Sequence, residues 1–400
     1  MIVVEKLNQT PVPEQAIEIV ERKGLGHPDT ICDSIANQIS IELSKLYLKE
    51  VGVILHHNID KALLAAGETE NRFGGGIIKK PMLFVLGDRA TFRTEDKEFP
   101  VEELAVRVAK EWFKQNLRFL DPEKHIKYQI ELKQGTASLR SIFKKKGILG
   151  ANDTSACVGY APLSPTEKLV IELEKYMNSK EFKKEFPETG EDIKIMALRK
   201  EDELNLTIAL AFIDRFIDSE ETYFKRKEEV LQAVYEFLNK NFGFKKINVE
   251  INTLDQKGKG IEGMYLTVTG TCADGADCGQ VGRGNRINGV IPLNRPSSSE
   301  AAAGKNPVSH VGKIYNALSF KIANEIFSQV RGVKEVYVWL LSKIGKPINQ
   351  PAIASVQIIP ESEIDWMGLQ KHAEKVIEEE LSKIQEFCMD LAKGKYPIGY

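Results

Sequence analysis

The sequence has few cysteines and no pattern that would pair them. Cys32, Cys157, Cys272, Cys278 and Cys388 form an odd, scattered set without a C-x-x-C spacing. A disulfide framework or a structural zinc site would need paired or closely spaced cysteines, so neither is indicated. We therefore expect reduced thiols packed in the interior or in loops.

Long apolar runs and an excess of charge are also missing. No stretch of about 18 uncharged apolar residues occurs, so no membrane-spanning segment is predicted. Residues 1–4 are followed at once by Glu5 and Lys6, unlike a signal peptide. The net charge of −2 gives no electrostatic reason to expect nucleic acid or a membrane as a partner. We expect a cytoplasmic protein.

Two common nucleotide-binding motifs are absent as well. Residues 299–306 lack the first glycine of a P-loop, and Asn306 stands where a P-loop has Ser or Thr after the lysine. Residues 282–289 lack the third glycine of a dinucleotide-binding fingerprint, and no acidic ribose partner follows at the right distance. If this chain binds phosphate, it does so with another architecture.

What is present instead is a pair of small-residue stretches that carry cations, 270–286 and 295–310. The first contains Arg283, and the second holds Lys305 between Gly304 and Asn306. Small side chains let a polyanion approach the backbone, and a lysine ammonium is a point charge suited to phosphate. Together the two stretches suggest a phosphate site.

Carboxylates offer candidate metal ligands in two places. Pro28 suits the first turn of a helix, where Asp29 would either complement the helix dipole or bind Mg²⁺ together with substrate phosphates. That motif alone does not decide between the two. His27, in a loop with Gly24 and Gly26, is hard to explain as core packing. Asp153 is a second candidate ligand, although an Asn-Asp turn explains it better in isolation.

Apolar periodicity predicts helices and strands that occur in groups. Helical spacing marks residues 104–112 and 231–238 and a long C-terminal helix around 369–392. The strand-like runs are 82–86, 128–132, 204–212, 247–252, 264–269, 336–341 and 355–359. Grouped strands with helices between the groups favour an α+β fold over a doubly wound parallel sheet.

Several short motifs occur in a definite order along the chain. They are GHPD at 26–29, LHHN at 55–58, FGGG at 73–76, NDTS at 152–155, VGYAP at 158–162, GEDIK at 190–194, VGRGNR at 281–286, GKNP at 304–307, HVGKIYN at 310–316 and IGKPI at 344–348. Each motif alone is weak. In this order they resemble S-adenosylmethionine synthetase (methionine adenosyltransferase), most closely its archaeal type, over roughly residues 18–348.

The resemblance implies a reaction and its cofactors. The sulfur of L-methionine attacks C5′ of ATP to give S-adenosylmethionine, and the triphosphate leaves and is hydrolysed to phosphate and pyrophosphate. A leaving group with several negative charges must be stabilised, which Mg²⁺ and fixed cations can do. Two Mg²⁺ ions per site are implied, and K⁺ is a further cofactor that the resemblance suggests.

The resemblance also implies an architecture. Three similar, interleaved α/β-sandwich units, about residues 1–140, 141–260 and 261–400, would be related by pseudo-threefold symmetry within one compact α+β protein. Their sheets would pack across the interface of a homodimer. The active sites would lie at that interface.

Site residues are carried over by position. The catalytic residues implied are His27, Arg283 and Lys305. The ATP or triphosphate contacts implied are His27, Gln134, Gly135, Thr136, Ser138, Lys194, Arg199, Arg283 and Lys305. Methionine would contact Glu68 and Asp277, and the metal ligands would be Glu21, Asp29 and Asp153.

One segment departs from the family pattern. Archaeal members read Gly-Ser-x-Asp-Leu where residues 135–139 read Gly-Thr-Ala-Ser-Leu, so Ser138 replaces an acidic residue in the loop proposed to contact ATP. This leaves open a divergent enzyme that uses another nucleotide or a methionine analogue. A catalytically silent nucleotide-binding partner subunit is a further alternative, although retention of the charged site residues argues against it.

Overall fold

Eight α-helices and four β-sheets form the described part of this computed structural model, which is residues 1–135, 147–362 and 364–400. The helices are α1 Pro28–Val51, α2 Val101–Asn116, α3 Pro165–Met177, α4 Lys180–Glu185, α5 Glu220–Asn241, α6 Val311–Gln329, α7 Trp366–Ser382 and α8 Ile384–Ala392. The strands are β1 Ile2–Lys6, β2 Ile17–Lys23, β3 His57–Ala65, β4 Glu68–Glu70, β5 Ile77–Lys80, β6 Met82–Ala90, β7 Ile126–Gln134, β8 Ala156–Ala161, β9 Thr189–Lys200, β10 Glu203–Ile213, β11 Lys246–Ile251, β12 Leu266–Thr267, β13 Gly279–Gln280, β14 Ile291–Pro292, β15 Val333–Leu341 and β16 Ile353–Pro360.

Three of the sheets are large and one is a two-stranded hairpin, β4–β5. Their strand orders are β1-β16-β15-β8, then β11-β10-β9-β2-β14 with β12 beside β10, and β13-β3-β6-β7. Both parallel and antiparallel pairs occur in each large sheet. The mixture confirms the predicted α+β class.

Each large sheet packs helices against one face, which produces three hydrophobic cores. Helices α6, α7 and α8 cover the first sheet, α3, α4 and α5 the second, and α1 and α2 the third. Ile322 with Val338, Val234 with Ile208, and Ile35 with Phe84 are among the buried residues of the respective cores. The pseudo-threefold relation and the unit boundaries stay predictions.

The predicted helices and strands are confirmed, with differences at their boundaries. The run 264–269 contains only the two-residue strand β12. The single helix expected around 369–392 is two helices, because the chain bends at Lys383, whose N–H is shared between the carbonyls of Glu379 and Glu380. Such shared bonds are common at helix ends, and no Gly or Pro in the sequence marks this break.

Helix α1 is the element that positions the candidate site. His27 caps its start and Pro28 occupies its first position, while Gly52 ends it in a left-handed conformation, φ 75°. Asp29, Asp33 and Asn37 follow one another at i, i+4 spacing, so they share one face of the helix. Among the described residues, no helix combines the length and apolar character needed to cross a bilayer.

Candidate active site

His27 lies at the end of a tight loop that connects β2 to α1. The loop packs against β9 so closely that a Cβ on Gly26 would lie 2.5 Å from the Asp192 backbone nitrogen. The backbone N–H of Asp29 donates to His27 Nδ1 at 3.2 Å. Burial lowers the pKa of His27 to about 4, so the imidazole is neutral at pH 7. With Nδ1 accepting, the ring proton lies on Nε2, which can donate to an anion.

The Asp29 carboxylate is held by two donors. Lys23 Nζ lies 2.9 Å from Asp29 Oδ2, and the backbone N–H of Gln280 donates to Asp29 Oδ1 at 2.9 Å. Each oxygen keeps a further lone pair, since a carboxylate can accept about four hydrogen bonds. Lys23 Nζ also donates to the Arg283 carbonyl oxygen at 2.5 Å, which links the β2–α1 junction to the small-residue stretch 270–286.

Other predicted residues lie around this junction. Glu21 lies 3.6 Å from Lys194 Nζ, which the β2–β9 register places opposite Lys23. Asp277 is exposed and close enough for its charge to act on His27. The Arg283 guanidinium is exposed and has no hydrogen-bond or ion-pair partner within the described part of the chain. We define the His27 group as Glu21, Lys23, His27, Asp29, Lys194, Asp277 and Arg283.

Lys305 lies in a second cluster of charges. Its ammonium pairs with the Asp60 carboxylate and lies 3.3 Å from Glu300, and Lys305 is only 4% exposed. Lys61 reaches the same Asp60 carboxylate from the solvent side at 2.5 Å. Gly304 is what allows this approach, because a Cβ there would lie 2.3 Å from the Ile59 carbonyl oxygen. We define the Lys305 group as Asp60, Lys61, Glu300 and Lys305.

Asp153 lies beside the Lys305 group. It is exposed, and its Oδ1 accepts from the Thr154 backbone N–H at 2.7 Å. Two residues further on, Ser155 Oγ donates to Glu300 Oε1 at 3.3 Å. Two of the three carboxylates predicted to bind metal, Asp29 and Asp153, are therefore associated with different groups.

Gln134 is the last residue of β7, and Gly135 follows it. Gln134 Oε1 accepts from the Phe92 backbone N–H at 2.7 Å, and the Gly135 N–H donates to the Ala90 carbonyl at 3.1 Å. Ala90 pairs with His57 of β3. Asn306, the residue after Lys305, contacts His57 Nδ1 at 3.2 Å, so these residues belong to the Lys305 side of the molecule.

The two groups contact different parts of α1 within one chain. His27 caps its start, whereas Ser40 Oγ donates to the Lys305 carbonyl oxygen at 3.0 Å. At 1.5 Å per residue, the distance along the helix from His27 to Ser40 is about 20 Å. The structure thus brings the predicted residues together in two groups and not in one.

Arg199 lies in neither group. It is buried, and its guanidinium donates to Glu18 and to the backbone carbonyls of Gln15, Val12 and Glu201, each at 3.0 Å. These contacts tie β9 to the segment before β2. Its predicted phosphate contact stays a prediction that these contacts do not favour.

Glu68 and the ATP loop complete the predicted set. Glu68 is exposed on the β4–β5 hairpin and lies 3.1 Å from Lys80. Near its start, the Ala66 N–H contacts Cys278 Sγ at 3.3 Å, which places the hairpin next to Asp277. Thr136 and Ser138 lie outside the described residues.

The sequence predictions did not include Lys23, Asp33 or Asp60. Lys23 and Asp33 flank the GHPD motif, and Asp60 follows the LHHN motif by two residues. Their proximity to these motifs was an available signal. Their contacts to Arg283, its flanking glycines and Lys305 depend on residues more than 240 positions away.

Comparison with known proteins decides the family. The family model described as S-adenosylmethionine synthetase (AdoMet synthetase) matches residues 1–395. The chain belongs to this family. Two similar proteins named S-adenosylmethionine synthase come from Thermococcus onnurineus, 49% identical, and Pyrococcus furiosus, 48% identical. The alignments cover 97% of both chains for the first and 99% of both for the second.

A solved structure agrees with the family at the level of fold. It is an S-adenosylmethionine synthetase from Campylobacter jejuni described as unusual, with a TM-score of 0.63 and 15% identity over 96% of this chain and 95% of that chain. The resemblance to archaeal S-adenosylmethionine synthetases is confirmed, and with it the prediction of a transferase of this family.

Proposed function

We propose that this chain joins ATP and L-methionine into S-adenosylmethionine, with attack of the methionine sulfur on C5′ and hydrolysis of the released triphosphate to phosphate and pyrophosphate. Membership of the S-adenosylmethionine synthetase family supports the overall reaction. The observation that carries the assignment of residues is the Arg283 guanidinium, exposed and unpartnered in the described structure. Its backbone is held by Lys23, which also pairs with Asp29 at the β2–α1 junction.

His27 acts in this proposal as a hydrogen-bond donor and not as an acid. Its Nδ1 is occupied by the Asp29 N–H, and burial keeps the ring neutral. The Nε2–H can then donate to an oxygen of the triphosphate as negative charge develops on it. Lys194 supplies a full positive charge close to it, and Arg283 supplies another from the loop that Lys23 holds. Both charges stabilise the leaving group by preorganised electrostatics.

Lys305 supplies a third cation from the other group. It is held between Asp60 and Glu300, so its ammonium is already oriented before any ligand binds. A fixed charge that need not reorganise is worth more in the transition state than a mobile one. We propose that it contacts the triphosphate, with Gln134 and Gly135 nearby.

The carboxylates fit Mg²⁺. Asp29 has one lone pair left on each oxygen, and the exposed Asp153 has one oxygen without a partner among the described residues. Hard divalent cations prefer such oxygen ligands and usually share them with substrate phosphates. We propose Asp29, Asp153 and Glu21 as the ligands of two ions, whose charge would offset that of the triphosphate; a K⁺ ion is part of the same proposal.

Methionine is proposed to bind at Glu68 and Asp277. Both carboxylates are exposed and lie near each other through the contact between Ala66 and Cys278. An amino acid substrate carries an ammonium group that an aspartate or glutamate can pair with. The charge of Asp277 acts on His27, which supports a methionine position next to the proposed triphosphate position.

We propose a homodimer with active sites at the subunit interface. His27 starts α1, whereas the Lys305 backbone contacts Ser40, about 20 Å further along the helix. A second copy can bring its Lys305 group to the His27 group of the first. Exposed apolar residues on the outer sheet faces support such packing, since Ile17 and Leu198 of the second sheet are 50% and 40% exposed and Leu63 of the third is 42% exposed.

The test is product analysis. Purified protein is incubated with ATP, L-methionine, Mg²⁺ and K⁺, and the products are identified by mass spectrometry and phosphate assays. We expect S-adenosylmethionine with equal amounts of phosphate and pyrophosphate. Absence of the product, while ATP binds, would contradict the proposal and favour a silent subunit; product only with another nucleotide would favour the divergent enzyme. The cytoplasmic location stays a prediction.

A further inference from the structure

The backbone around Arg283 is fixed at three points by two residues of the β2–α1 region. Asp33 Oδ1 accepts from the Gly282 N–H at 2.8 Å, and Asp33 Oδ2 accepts from the Gly284 N–H at 3.1 Å. Lys23 Nζ donates to the Arg283 carbonyl oxygen between them at 2.5 Å. Both neighbours of Arg283 and its own carbonyl are thus held by side chains.

The two glycines are required by this arrangement. Gly282 has φ 86°, in the left-handed region that glycine adopts without strain. A Cβ on Gly284 would lie 2.2 Å from Asp33 Oδ2. The loop can therefore approach the carboxylate only because residue 284 has no side chain.

Asp33 accepts no hydrogen bond from the backbone of its own helix. It lies in the second turn of α1, and its oxygens accept from the distant loop and from no N–H of that helix. It is also buried, at a position where an unpaired carboxylate would be costly. The contacts that satisfy it are those on either side of Arg283.

We propose that Asp33 is a positioning residue: by holding the backbone on both sides of Arg283, it aims the free guanidinium at a phosphate anion. This rests on the proposed function, in which Arg283 binds the triphosphate. Asp33 itself touches no substrate and acts through Arg283 alone. The restraint lowers the backbone entropy that this loop would otherwise lose when Arg283 binds an anion.

A double-mutant cycle between Asp33 and Arg283 tests this. Asp33→Asn keeps the size but leaves one acceptor oxygen for two N–H donors. We expect Arg283→Ala to lower kcat/KM about 10²-fold and Asp33→Asn to lower it about tenfold. In the Arg283→Ala background, Asp33→Asn should cost less than about twofold, because there is no guanidinium left to misplace. The affinity for inorganic tripolyphosphate, measured by calorimetry, should also fall with Asp33→Asn in the wild type and change little with it in the Arg283→Ala background.

Asp214 provides a matched control. Its carboxylate accepts from the backbone N–H groups of Arg72 and Gly76 at 3.4 and 2.9 Å, in a loop outside both groups. Asp214→Asn should lower Tm, and any effect on turnover should be the same with and without Arg283, because the turn that it holds belongs to the β4–β5 hairpin and not to the Arg283 loop. If Asp33→Asn does not fold, Gly284→Ala disturbs the same contact from the loop side, and its cost should also disappear with Arg283→Ala.

Additive costs of Asp33→Asn and Arg283→Ala would overturn the positioning role. The failure of the proposed function would look different. In that case the wild type would form no S-adenosylmethionine while the tripolyphosphate cycle still showed coupling. Product formation together with an additive cycle would leave the function standing and reject the role of Asp33.

Discussion

The His27 group and the Lys305 group each present a cation, but in opposite ways. Arg283 is exposed and has no partner in the described structure, while its backbone is held from behind. Lys305 is buried between Asp60 and Glu300. A free surface cation contributes little to folding, whereas a buried ion pair is costly to break. Two cations with similar proposed roles toward a ligand can therefore have different consequences for stability.

Substitution of Lys305 should have the largest effect. Lys305→Ala removes a fixed cation from the proposed triphosphate site, and we expect turnover to fall about 10³-fold. It also leaves Asp60 without its buried partner, so unfolding free energy should fall by about 3 kcal/mol in chemical denaturation. Lys61→Ala is the control, because this exposed lysine contacts the same Asp60 carboxylate and should change both quantities little.

Substitution of Arg283 should lower turnover without lowering stability. Arg283→Ala should lower turnover about 10²-fold and leave Tm unchanged within the error of the measurement, because the side chain has no partner to lose. Arg286→Ala, three residues further along the same loop and also exposed, is the matched control and should retain activity. A large drop in Tm for Arg283→Ala would show that Arg283, like Lys305, contributes to stability, and would contradict this difference between the groups.

Mixing the two variants tests whether the groups meet across subunits. If each site takes its His27 group from one chain and its Lys305 group from the other, a heterodimer of Arg283→Ala and Lys305→Ala contains one intact site. Random exchange of subunits should then restore about a quarter of wild-type activity. A mixture that stays as inactive as its components, despite exchange seen by native mass spectrometry, would show that both groups of a site come from one chain.

A buried lysine outside both groups should have the smallest effect on turnover, in contrast to Lys305. Lys183 donates to Thr189 Oγ1 and the Gly190 carbonyl and forms no ion pair in the described structure, and burial lowers its pKa to about 7. Between pH 7 and about 10.5 this lysine is therefore protonated in the unfolded chain and neutral in the folded one. The free energy of unfolding then rises with pH by up to about 1.4 kcal/mol per pH unit.

Chemical denaturation at several pH values measures this rise in the free energy of unfolding. Lys183→Met should remove the rise between pH 7 and 10, while Lys184→Met, its exposed neighbour, should keep it. Equal curves for the wild type and Lys183→Met would contradict a lowered pKa for Lys183.

Much of the fold was predictable because it depends on local patterns. Alternating apolar residues predicted β10, and helical spacing predicted α2 and α5. The α7–α8 break was not predictable, because it depends on hydrogen bonds at Lys383 that no residue type signals. The ordered motifs identified the family, since each motif needs only its own residues in sequence.

The sequence by itself determined which chemical groups are available: His27 and Asp29 at a helix start, Arg283 between glycines, and Lys305 in a small-residue segment. Only the tertiary structure decided how they are combined. It placed the Lys305 backbone against Ser40 of α1, paired the Lys305 ammonium with Asp60, and turned Arg199 toward Glu18. These outcomes depend on contacts between segments far apart in the chain, which no local pattern encodes.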